Sequence, residues 1–328
     1  MIVVTGGAGF IGSAVVAALN AQGKTDIVIV DEVEHERKER NIGHLRYERL
    51  VGIKDFRTRL LQGDFDGNVE AIIHLGACSD TTEQNWEYLA DNNVEYTKDI
   101  LRWCSDHGVR CLYASSAAVY GDGMLGFSDN QDLLDSFTPL NLYGKSKLLV
   151  DIWARDGGYL TSVTGLRYFN IYGPNEWHKE HMRSVVCKKF DEMTQEGKIS
   201  LFKSEHPDYG DGEQERDFLY VKDAVAMTMF LLERPDAVGV FNIGAGKPHT
   251  WNQMATAMFA ALGKELNIKY IAMPDHLRQQ YQYHTKADLQ KIIATGYSAK
   301  AMPLGEAITD YIQNYLVPDK HLGEVEST

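Results

Sequence analysis

Short apolar runs alternate with segments of helical periodicity along the first half of the chain. Residues 1–4 and 27–30 are apolar and rich in β-branched side chains, and residues 13–20 between them carry Ala, Val and Leu at helical spacing. Three further apolar runs are each followed by small or polar residues, and they occupy residues 69–75, 110–114 and 162–168. This alternation predicts parallel strands joined by helices, and therefore an α/β fold with a Rossmann-type doubly wound parallel sheet.

The pattern becomes mixed after residue 174, which indicates a smaller mixed α/β lobe for the substrate. We expect residues 1–174 to form a dinucleotide-binding domain, and segments within residues 216–246 to return to it. Residues 175–328 would then form most of the substrate lobe. Its predicted elements are two helices and two short strands, near residues 181–196, 250–262, 200–202 and 269–272.

Two segments carry no clear periodic pattern. Residues 31–56 are charged and poorly periodic, so no third strand can be placed there. The chain from Val317 onward contains Pro318 and ends in polar residues, which predicts a frayed tail.

A Gly-rich turn joins the first predicted strand to the first predicted helix, with the sequence TGGAGFIG at residues 5–12. Glycines at Gly6, Gly9 and Gly12 permit a tight turn and a close approach to a pyrophosphate at the helix N-terminus. The second strand ends in Asp31, where a carboxylate would bond an adenosine ribose. A Gly-rich turn alone is often a plain loop, but strand, turn, helix and acid in this order indicate a dinucleotide-binding half.

Tyr143 and Lys147 stand four residues apart in the segment YGKSK, so on a helix they share one face. A Lys ammonium beside a phenol favours the phenolate and is expected to lower the pKa of Tyr143 from about 10. Such a tyrosine would be a usable base. The same spacing also occurs by chance on solvated helix faces, so the interpretation depends on a cofactor site upstream.

Composition excludes several classes of function. The chain has 328 residues, 44% of them hydrophobic, and a formal net charge of −13, which is unfavourable for nucleic-acid binding. Its four cysteines show no metal-ligand spacing, so we expect buried thiols and no metal site. The first strand starts at residue 2 and no apolar run approaches ~18 residues, so we expect no signal peptide, no membrane partner and a soluble, cytoplasmic protein.

Four segments together carry a family resemblance: TGGAGFIG, SSAAVYG at residues 115–121, YGKSK, and RYFNIYGP at residues 167–174. With them the chain resembles the extended short-chain dehydrogenases/reductases that act on nucleotide sugars, over nearly its whole length. Within that family it is most similar to the epimerases that act at C6 of an ADP-heptose. The segments typical of that group are residues 74–79, 91–93, 177–179, 216–221 and 281–282.

The resemblance implies a self-contained redox reaction in lipopolysaccharide heptose biosynthesis. Bound NADP would take a hydride from C6, the ketone would turn within the pocket, and the hydride would return to its opposite face. Tyr143 would be the first base, with Lys147 lowering its pKa and bonding the nicotinamide ribose. Lys179 would be the second acid/base group, and Ser116 would hydrogen-bond the alkoxide. Taken without the resemblance, Lys179 reads as an exposed loop lysine and Ser116 as a buried strand-end hydroxyl.

The resemblance also implies binding residues for the cofactor and for an ADP-heptose. The cofactor positions are Gly6, Gly9, Phe10, Ile11, Gly12, Asp31, Glu32, Lys38, Lys54, Leu75, Gly76, Ala77, Cys78, Ser79, Asn92, Lys147, Ile171 and Lys179. The substrate positions are Asn170, His181, Lys188, Phe202, Lys203, Ser204, Glu205, Arg216 and Tyr281.

The chain departs from the family pattern at several of these positions. His181 and Lys188 stand where the family has a Ser and a His, and Lys54 matches a family lysine only approximately. Residues 206–215 look like an insertion before Arg216, which would change the neighbouring loop.

The charges around Asp31 leave the cofactor open between NADP and NAD. Asp31 and Glu32 would repel a 2′-phosphate and favour NAD, whereas Arg37 and Lys38 follow closely and could neutralise it. Since the family usually holds NADP, we expect NADP. The family also forms homo-oligomers, often pentamers in this group, so we expect one here.

Two other functions compete with this interpretation. A UDP-hexose 4-epimerase uses the same Ser, Tyr and Lys but does not require Lys179, so it remains an alternative. A 4,6-dehydratase needs an Asp-Glu pair where this chain has Ala117 and Ala118, which argues against that activity. A non-catalytic dinucleotide-binding regulator is the alternative from a different class. Such a protein can lose the Tyr–Lys pair, which is retained here.

Overall fold

The computed structural model describes residues 1–65, 67–278 and 281–324. Strands in this part of the chain are rich in β-branched and aromatic side chains, which fit a pleated, buried surface. In chain order the strands are β1 (Ile2–Thr5), β2 (Ile27–Val30), β3 (Arg49–Val51), β4 (Ala71–His74), β5 (Arg110–Ser116), β6 (Val163–Tyr168), β7 (Asn170–Tyr172), β8 (Ile199–Phe202), β9 (Glu215–Arg216), β10 (Phe218–Tyr220), β11 (Gly239–Ile243), β12 (His249–Thr250) and β13 (Ile268–Ile271).

Seven of these strands form one parallel sheet in the spatial order β11-β6-β5-β4-β1-β2-β3. Each neighbouring pair in the sheet is parallel. Strands β1, β2, β4 and β6 are buried along their whole length, because helices cover both faces of the sheet. The strand order reverses between β1 and β4, which opens a crevice at their carboxyl ends. The predicted doubly wound fold is confirmed.

Helices connect the strands, and several begin at a side chain that caps their free N–H groups. Asn141 caps the helix that starts at Leu142 by accepting a hydrogen bond from the Gly144 N–H over 2.7 Å. Thr250 and Gln253 form a capping box at the start of the helix that begins at Trp251. The α-helices are α1 (Phe10–Ala21), α2 (Glu36–Arg40), α3 (Ile53–Leu61), α4 (Trp86–Leu89), α5 (Tyr96–His107), α6 (Leu142–Asp156), α7 (Val185–Glu196), α8 (Val221–Leu232), α9 (Trp251–Ala261), α10 (Asp275–Arg278), α11 (Gln290–Ala294) and α12 (Leu304–Tyr311). In the part of the chain given above, no helix is long and apolar enough to cross a membrane.

Short strand pairs lie outside the main sheet. Strand β8 pairs with β13, β7 with β10, and β9 with β12. Strand β11 joins the edge of the main sheet beside β6, and α8 contacts both α1 and that sheet. The second half of the chain therefore contributes to the main sheet as well as to these separate pairs.

The structure places one strand that the sequence left open and contradicts one expectation. Strand β3 lies within residues 31–56 and pairs with β2 at the edge of the sheet. The predicted frayed tail is wrong, because this segment is packed: His321 is buried and its Nδ1 lies 2.8 Å from the side-chain oxygen of Asn41. The Leu322 N–H donates to the Asn175 side chain over 2.9 Å. Residues 325–328 of that predicted tail lie outside the described residues.

A buried ion pair fixes α6 to the sheet. The Asp151 carboxylate is wholly inside the protein and binds the Arg167 guanidinium at 2.9 Å. It also accepts hydrogen bonds from the hydroxyls of Tyr113, at 2.9 Å, and Ser115, at 2.8 Å. The other side of the guanidinium donates to the Tyr120 hydroxyl over 3.0 Å. Because every partner is satisfied, this network can hold α6 against β5 and β6 at acceptable cost.

Asp151→Asn should destabilise the fold by about 3–5 kcal/mol, because it leaves the Arg167 guanidinium buried without a balancing charge. Urea unfolding followed by circular dichroism measures the effect. Asp135→Asn is the matched control, since its carboxylate also binds an arginine, Arg155, but lies at the surface. Equal unfolding midpoints for the two variants would contradict the structural role of Asp151.

Candidate active site

A cavity of about 970 Å³ lies at the carboxyl ends of the sheet strands. Its walls come from the Gly-rich turn, the ends of β4 and β5, the start of α6 and residues 168–186. This volume is at the upper end of the usual size of small-molecule pockets, and it can hold a dinucleotide with part of a second ligand. The position is the one at which open α/β sheets bind ligands.

The Gly-rich turn passes close to the end of β4. Gly6 has φ of +66°, and a Cβ there would lie 2.7 Å from the Gly76 backbone nitrogen, so both the conformation and the space require glycine. Helix α1 begins at Phe10, and the N-cap Gly9 before it has no side chain that could cap the first turn. Its first residues line the cavity. The uncapped N–H groups at this helix end fit a pyrophosphate, so the turn fits a dinucleotide.

Asp31 is engaged by protein groups on both oxygens. One oxygen accepts the Ala8 N–H over 2.9 Å, and the other binds the Lys38 ammonium at 2.5 Å. The Asp31 side chain is 4% exposed. Glu32 also lines the cavity, and its carboxylate accepts the Ile53 N–H over 2.9 Å at the start of α3. The two acids therefore present less negative charge to the cavity than the sequence indicates.

Tyr143, Lys147 and Ser116 meet in the cavity wall, where α6 passes the end of β5. The Lys147 ammonium donates to the Ala114 carbonyl over 2.9 Å and lies 5.9 Å from the centre of the Tyr143 ring. Ser116 accepts the Ala118 N–H over 3.1 Å, which fixes its hydroxyl oxygen at the strand end.

The pKa values in this group differ from the sequence-based expectation. Burial raises the pKa of Tyr143 above its usual 10, and a hydrogen bond with Ser116 opposes this effect. The pKa of Tyr143 is thus raised rather than lowered in this structure, because burial is the largest effect on it. That the Lys147 charge favours the phenolate stays a prediction. Burial instead lowers the pKa of Lys147 to about 8, with Asp151 acting in the opposite direction.

Lys179 reaches the same cavity from a different segment. It lies in the 3₁₀-helix Trp177–Met182, is half-buried, and its ammonium lies 5.7 Å from the centre of the Phe10 ring. Burial lowers the pKa of Lys179, and the carboxylate of Glu176 partly opposes this. A lysine in this position is not the exposed loop residue that its local sequence alone indicates.

A chain of hydrogen bonds behind β4 supports residues 75–79. The Thr97 hydroxyl donates to the Asn93 carbonyl over 2.7 Å, so His74 Nε2, 3.0 Å away, donates to Thr97. His74 Nδ1 then accepts from the Thr5 hydroxyl at 2.6 Å, and Thr5 accepts the Gly76 N–H. Burial lowers the pKa of His74 to about 3, which agrees with this neutral tautomer.

Arg216 lies beside the cavity in an aromatic group. Its guanidinium is 5.0 Å from the centre of the Tyr281 ring and 5.7 Å from that of Trp251, which lines the cavity. The side chain is buried, and no ion pair with a carboxylate is found for it in the described part of the chain. Burial lowers the pKa of Arg216 from its ordinary value. Such a group suits an incoming anion.

Most of the residues expected at the site line this one cavity. They are Gly6, Gly9, Phe10, Ile11, Gly12, Asp31, Glu32, Lys38, Leu75, Gly76, Ala77, Cys78, Ser79, Asn92, Ser116, Tyr143, Lys147, Asn170, Ile171, Lys179 and His181. Cys78 is thus a half-buried cavity thiol, unlike the buried Cys104, Cys111 and Cys187.

Other expected residues lie outside the cavity wall. Lys54 is exposed on α3, although its neighbour Ile53 lines the cavity. Lys188 is exposed on α7 and donates to the His181 carbonyl over 3.2 Å. The remaining six belong to the aromatic group around Arg216 or to the segment that follows Phe202. They are Phe202, Lys203, Ser204, Glu205, Arg216 and Tyr281.

The sequence interpretation missed several residues that hold this site together. Asn41 donates to the carbonyls of Ala8 and Asn175 at 3.0 and 3.1 Å, which ties the Gly-rich turn to the segment of Lys179. Glu176 is buried beside that segment and binds Tyr311 of α12. Asn41 and Tyr311 lie far in sequence from the residues they bind here, so no local pattern marks these contacts.

Comparison with known proteins assigns the family. Residues 2–244 match the family described as NAD dependent epimerase/dehydratase. The ADP-L-glycero-D-manno-heptose-6-epimerase of Nitratidesulfovibrio vulgaris strain Hildenborough is 46% identical over 98% of this chain and 100% of its own length. The enzyme of the same name from Fusobacterium nucleatum is 40% identical over 97% and 99%.

A solved structure agrees with these relatives. The crystal structure of the Helicobacter pylori ADP-L-glycero-D-manno-heptose-6-epimerase superposes with a TM-score of 0.78 at 26% identity, covering 95% of each chain. The resemblance drawn from the sequence motifs is therefore confirmed. The chain belongs to the NAD dependent epimerase/dehydratase family, and within it to the group of these heptose epimerases.

Proposed function

We propose that the chain interconverts ADP-D-glycero- and ADP-L-glycero-D-manno-heptose by transient oxidation at C6, as a step in lipopolysaccharide core heptose biosynthesis. The observation that carries the proposal is that Tyr143 and Lys179 line one cavity from two separate segments. An epimerase that works through a ketone needs a proton-transfer group on each face of the reacting carbon. The names and identities of its relatives support the same substrate.

In this proposal the chain's own residues move the protons and hold the oxygen. Tyr143 accepts the proton of the C6 hydroxyl as the C6–H bond breaks, and Ser116 donates a hydrogen bond to the same oxygen. The bound dinucleotide supplies the acceptor, and later the donor, of the hydride. After the ketone has turned, Lys179 donates a proton to its oxygen as the new C6–H bond forms. In the reverse direction the two groups exchange roles.

Arg216 supplies the charge for the diphosphate of the substrate. The planar guanidinium of Arg216 can donate two hydrogen bonds to phosphate oxygens. Its burial beside Trp251 and Tyr281 increases the strength of that interaction. The residues beyond it, Phe202 to Glu205, would surround the rest of the nucleotide. Residues 206–215 fold over this area, where Tyr209 lies 5.6 Å from Tyr283 between ring centres.

NADP is the cofactor we infer, and Lys38 is the main reason. Its ammonium binds the Asp31 carboxylate at 2.5 Å and donates to the Glu32 carbonyl over 2.8 Å, so a cation lies where the adenosine ribose would bind.

By family resemblance we infer a cytoplasmic homo-oligomer of pentameric size. Light scattering on purified protein measures that size.

Tyr143→Phe and Lys179→Ala should each lower kcat for epimerisation of ADP-D-glycero-D-manno-heptose by roughly 10²–10⁴-fold, because each removes one proton transfer. The product is followed by NMR without added cofactor, with UDP-sugars assayed in parallel. Tyr159→Phe and Lys300→Ala are matched controls outside the cavity and should retain full activity. Near-normal turnover in Lys179→Ala, or epimerisation of a UDP-sugar alone, would contradict the proposal.

The pH profile should report the charge of Lys147. Its ammonium has a pKa of about 8, so it is charged below that pH and neutral above it. If that charge stabilises the Tyr143 phenolate, kcat/KM should fall as the pH rises through 8. Lys147→Arg keeps its charge and should lose the alkaline fall, whereas Lys145→Arg, exposed on the same helix, should keep it. An unchanged profile in Lys147→Arg would disprove this role.

Lys38→Ala should shift the dinucleotide retained by the purified protein from NADP towards NAD by about 10-fold or more, since it removes a charge-assisted contact. The nucleotides released on denaturation are separated and quantified by chromatography. Lys300→Ala, exposed and outside the cavity, should leave the ratio unchanged. Release of NAD alone from the unmodified protein would show that the NADP preference is wrong.

A further inference from the structure

Residues 173–184, the segment that carries Lys179, form a loop whose two ends are joined by one side chain. The place where the two ends meet is called its neck. Glu176 is 1% exposed, and one of its oxygens accepts the Gly173 N–H over 3.2 Å and the Ser184 hydroxyl over 2.7 Å. Its other oxygen accepts the Ser184 N–H. Residues 173 and 184 are the two ends of the loop, so this carboxylate holds both ends together.

The same carboxylate ties the loop to the end of the chain. The Tyr311 hydroxyl, on the buried face of α12, lies 3.0 Å from the Glu176 oxygen that binds Gly173. Tyr311 is itself wholly buried, so it forms a fixed anchor. The loop is thus held at its neck by contacts from three separate parts of the sequence.

The hydrogen bonds indicate that Glu176 acts as a carboxylate. The Ser184 hydroxyl accepts the Cys187 N–H over 3.2 Å, so its own hydrogen points to Glu176. The two backbone groups, this hydroxyl and that of Tyr311 all supply hydrogens, and a protonated carboxyl would bring one donor too many. Burial raises the pKa of Glu176, and these donors oppose that effect, as does the charge of Lys179.

The loop between its ends is strained and contains the proton-transfer lysine. Glu180 has φ of +47° and ψ of −114°, which is unfavourable for a residue with a side chain. Lys179 stands directly before it; burial lowers the pKa of this lysine, and the charge of Glu176 partly opposes that effect. A strained turn keeps its geometry only while its surroundings hold it, and the Glu176 carboxylate supplies contacts of this kind at both ends of the loop.

We propose that Glu176 is a positioning residue for the reaction, which holds Lys179 in place by closing the neck of residues 173–184 and anchoring it to Tyr311. The inference rests on the proposed role of Lys179. Glu176 itself transfers no proton, since its oxygens are occupied by the loop and by α12.

Glu176→Gln keeps the size of the side chain but removes its charge and turns one acceptor into a donor. In holoenzyme with this change, kcat should fall by about 10–100-fold while KM for ADP-heptose changes by less than about threefold, because a misplaced group costs chemistry more than binding. Tyr311→Phe removes one contact only and should give a smaller loss of kcat. Glu265→Gln, exposed and outside the cavity, is the matched control and should behave as the unmodified protein.

Acetylation of Lys179 by acetic anhydride, followed by mass spectrometry, tests the inference without relying on turnover. Loss of the Glu176 charge lowers the pKa of Lys179 and loosens its loop, so Glu176→Gln should label at least about threefold faster at that lysine. Labelling of exposed Lys300 serves as the internal reference. Unchanged labelling with unchanged kcat would overturn the proposal. An unmodified protein inactive on every sugar would refute the epimerase function, yet leave the labelling result interpretable.

Discussion

The carboxylate of Asp151 lies wholly inside the protein, one helical turn beyond Lys147 on α6. It binds Arg167 of β6 and the hydroxyls of Tyr113 and Ser115 on β5, so one charged group joins a helix to two central strands. A buried pair of this kind adds little net stability, but it permits only one arrangement of its partners. Tyr143 and Lys147 depend on that arrangement, because both project from the helix that Asp151 fixes.

The second proton-transfer lysine has an independent support. Lys179 belongs to a loop held by Glu176, and the contacts of that carboxylate come from the loop and from α12 rather than from the sheet. The two sides of the cavity are therefore held by separate buried carboxylates. A change in one support can alter one proton transfer while leaving the other side in place.

Electrostatics at the far end of the cavity follow the fold more than the composition. Asp31 and Glu32 form an acidic pair in the sequence. In the structure, Lys38 neutralises Asp31, and the Glu32 carboxylate accepts a hydrogen bond from the Ile53 N–H at the start of α3. The pKa of Tyr143 gives the same lesson. The spacing to Lys147 predicted a lowered pKa, but burial of the phenol outweighs a lysine that donates to the Ala114 carbonyl instead. Charge and desolvation depend on positions in three dimensions, which spacing along one helix does not supply.

The sequence by itself determined the doubly wound sheet, the Gly-rich turn and the family, because these depend on local patterns: buried β-branched runs, glycines at a tight turn, and short motifs. It could not place β3, whose three residues are too short and too exposed to give a pattern, nor the packed end of the chain, which depends on partners such as Asn41 far away in sequence. Only the tertiary structure brought Tyr143 and Lys179 to one cavity and Glu176 into contact with Tyr311 of α12. Those relations join residues through contacts between distant segments, and such contacts exist only once the chain has folded.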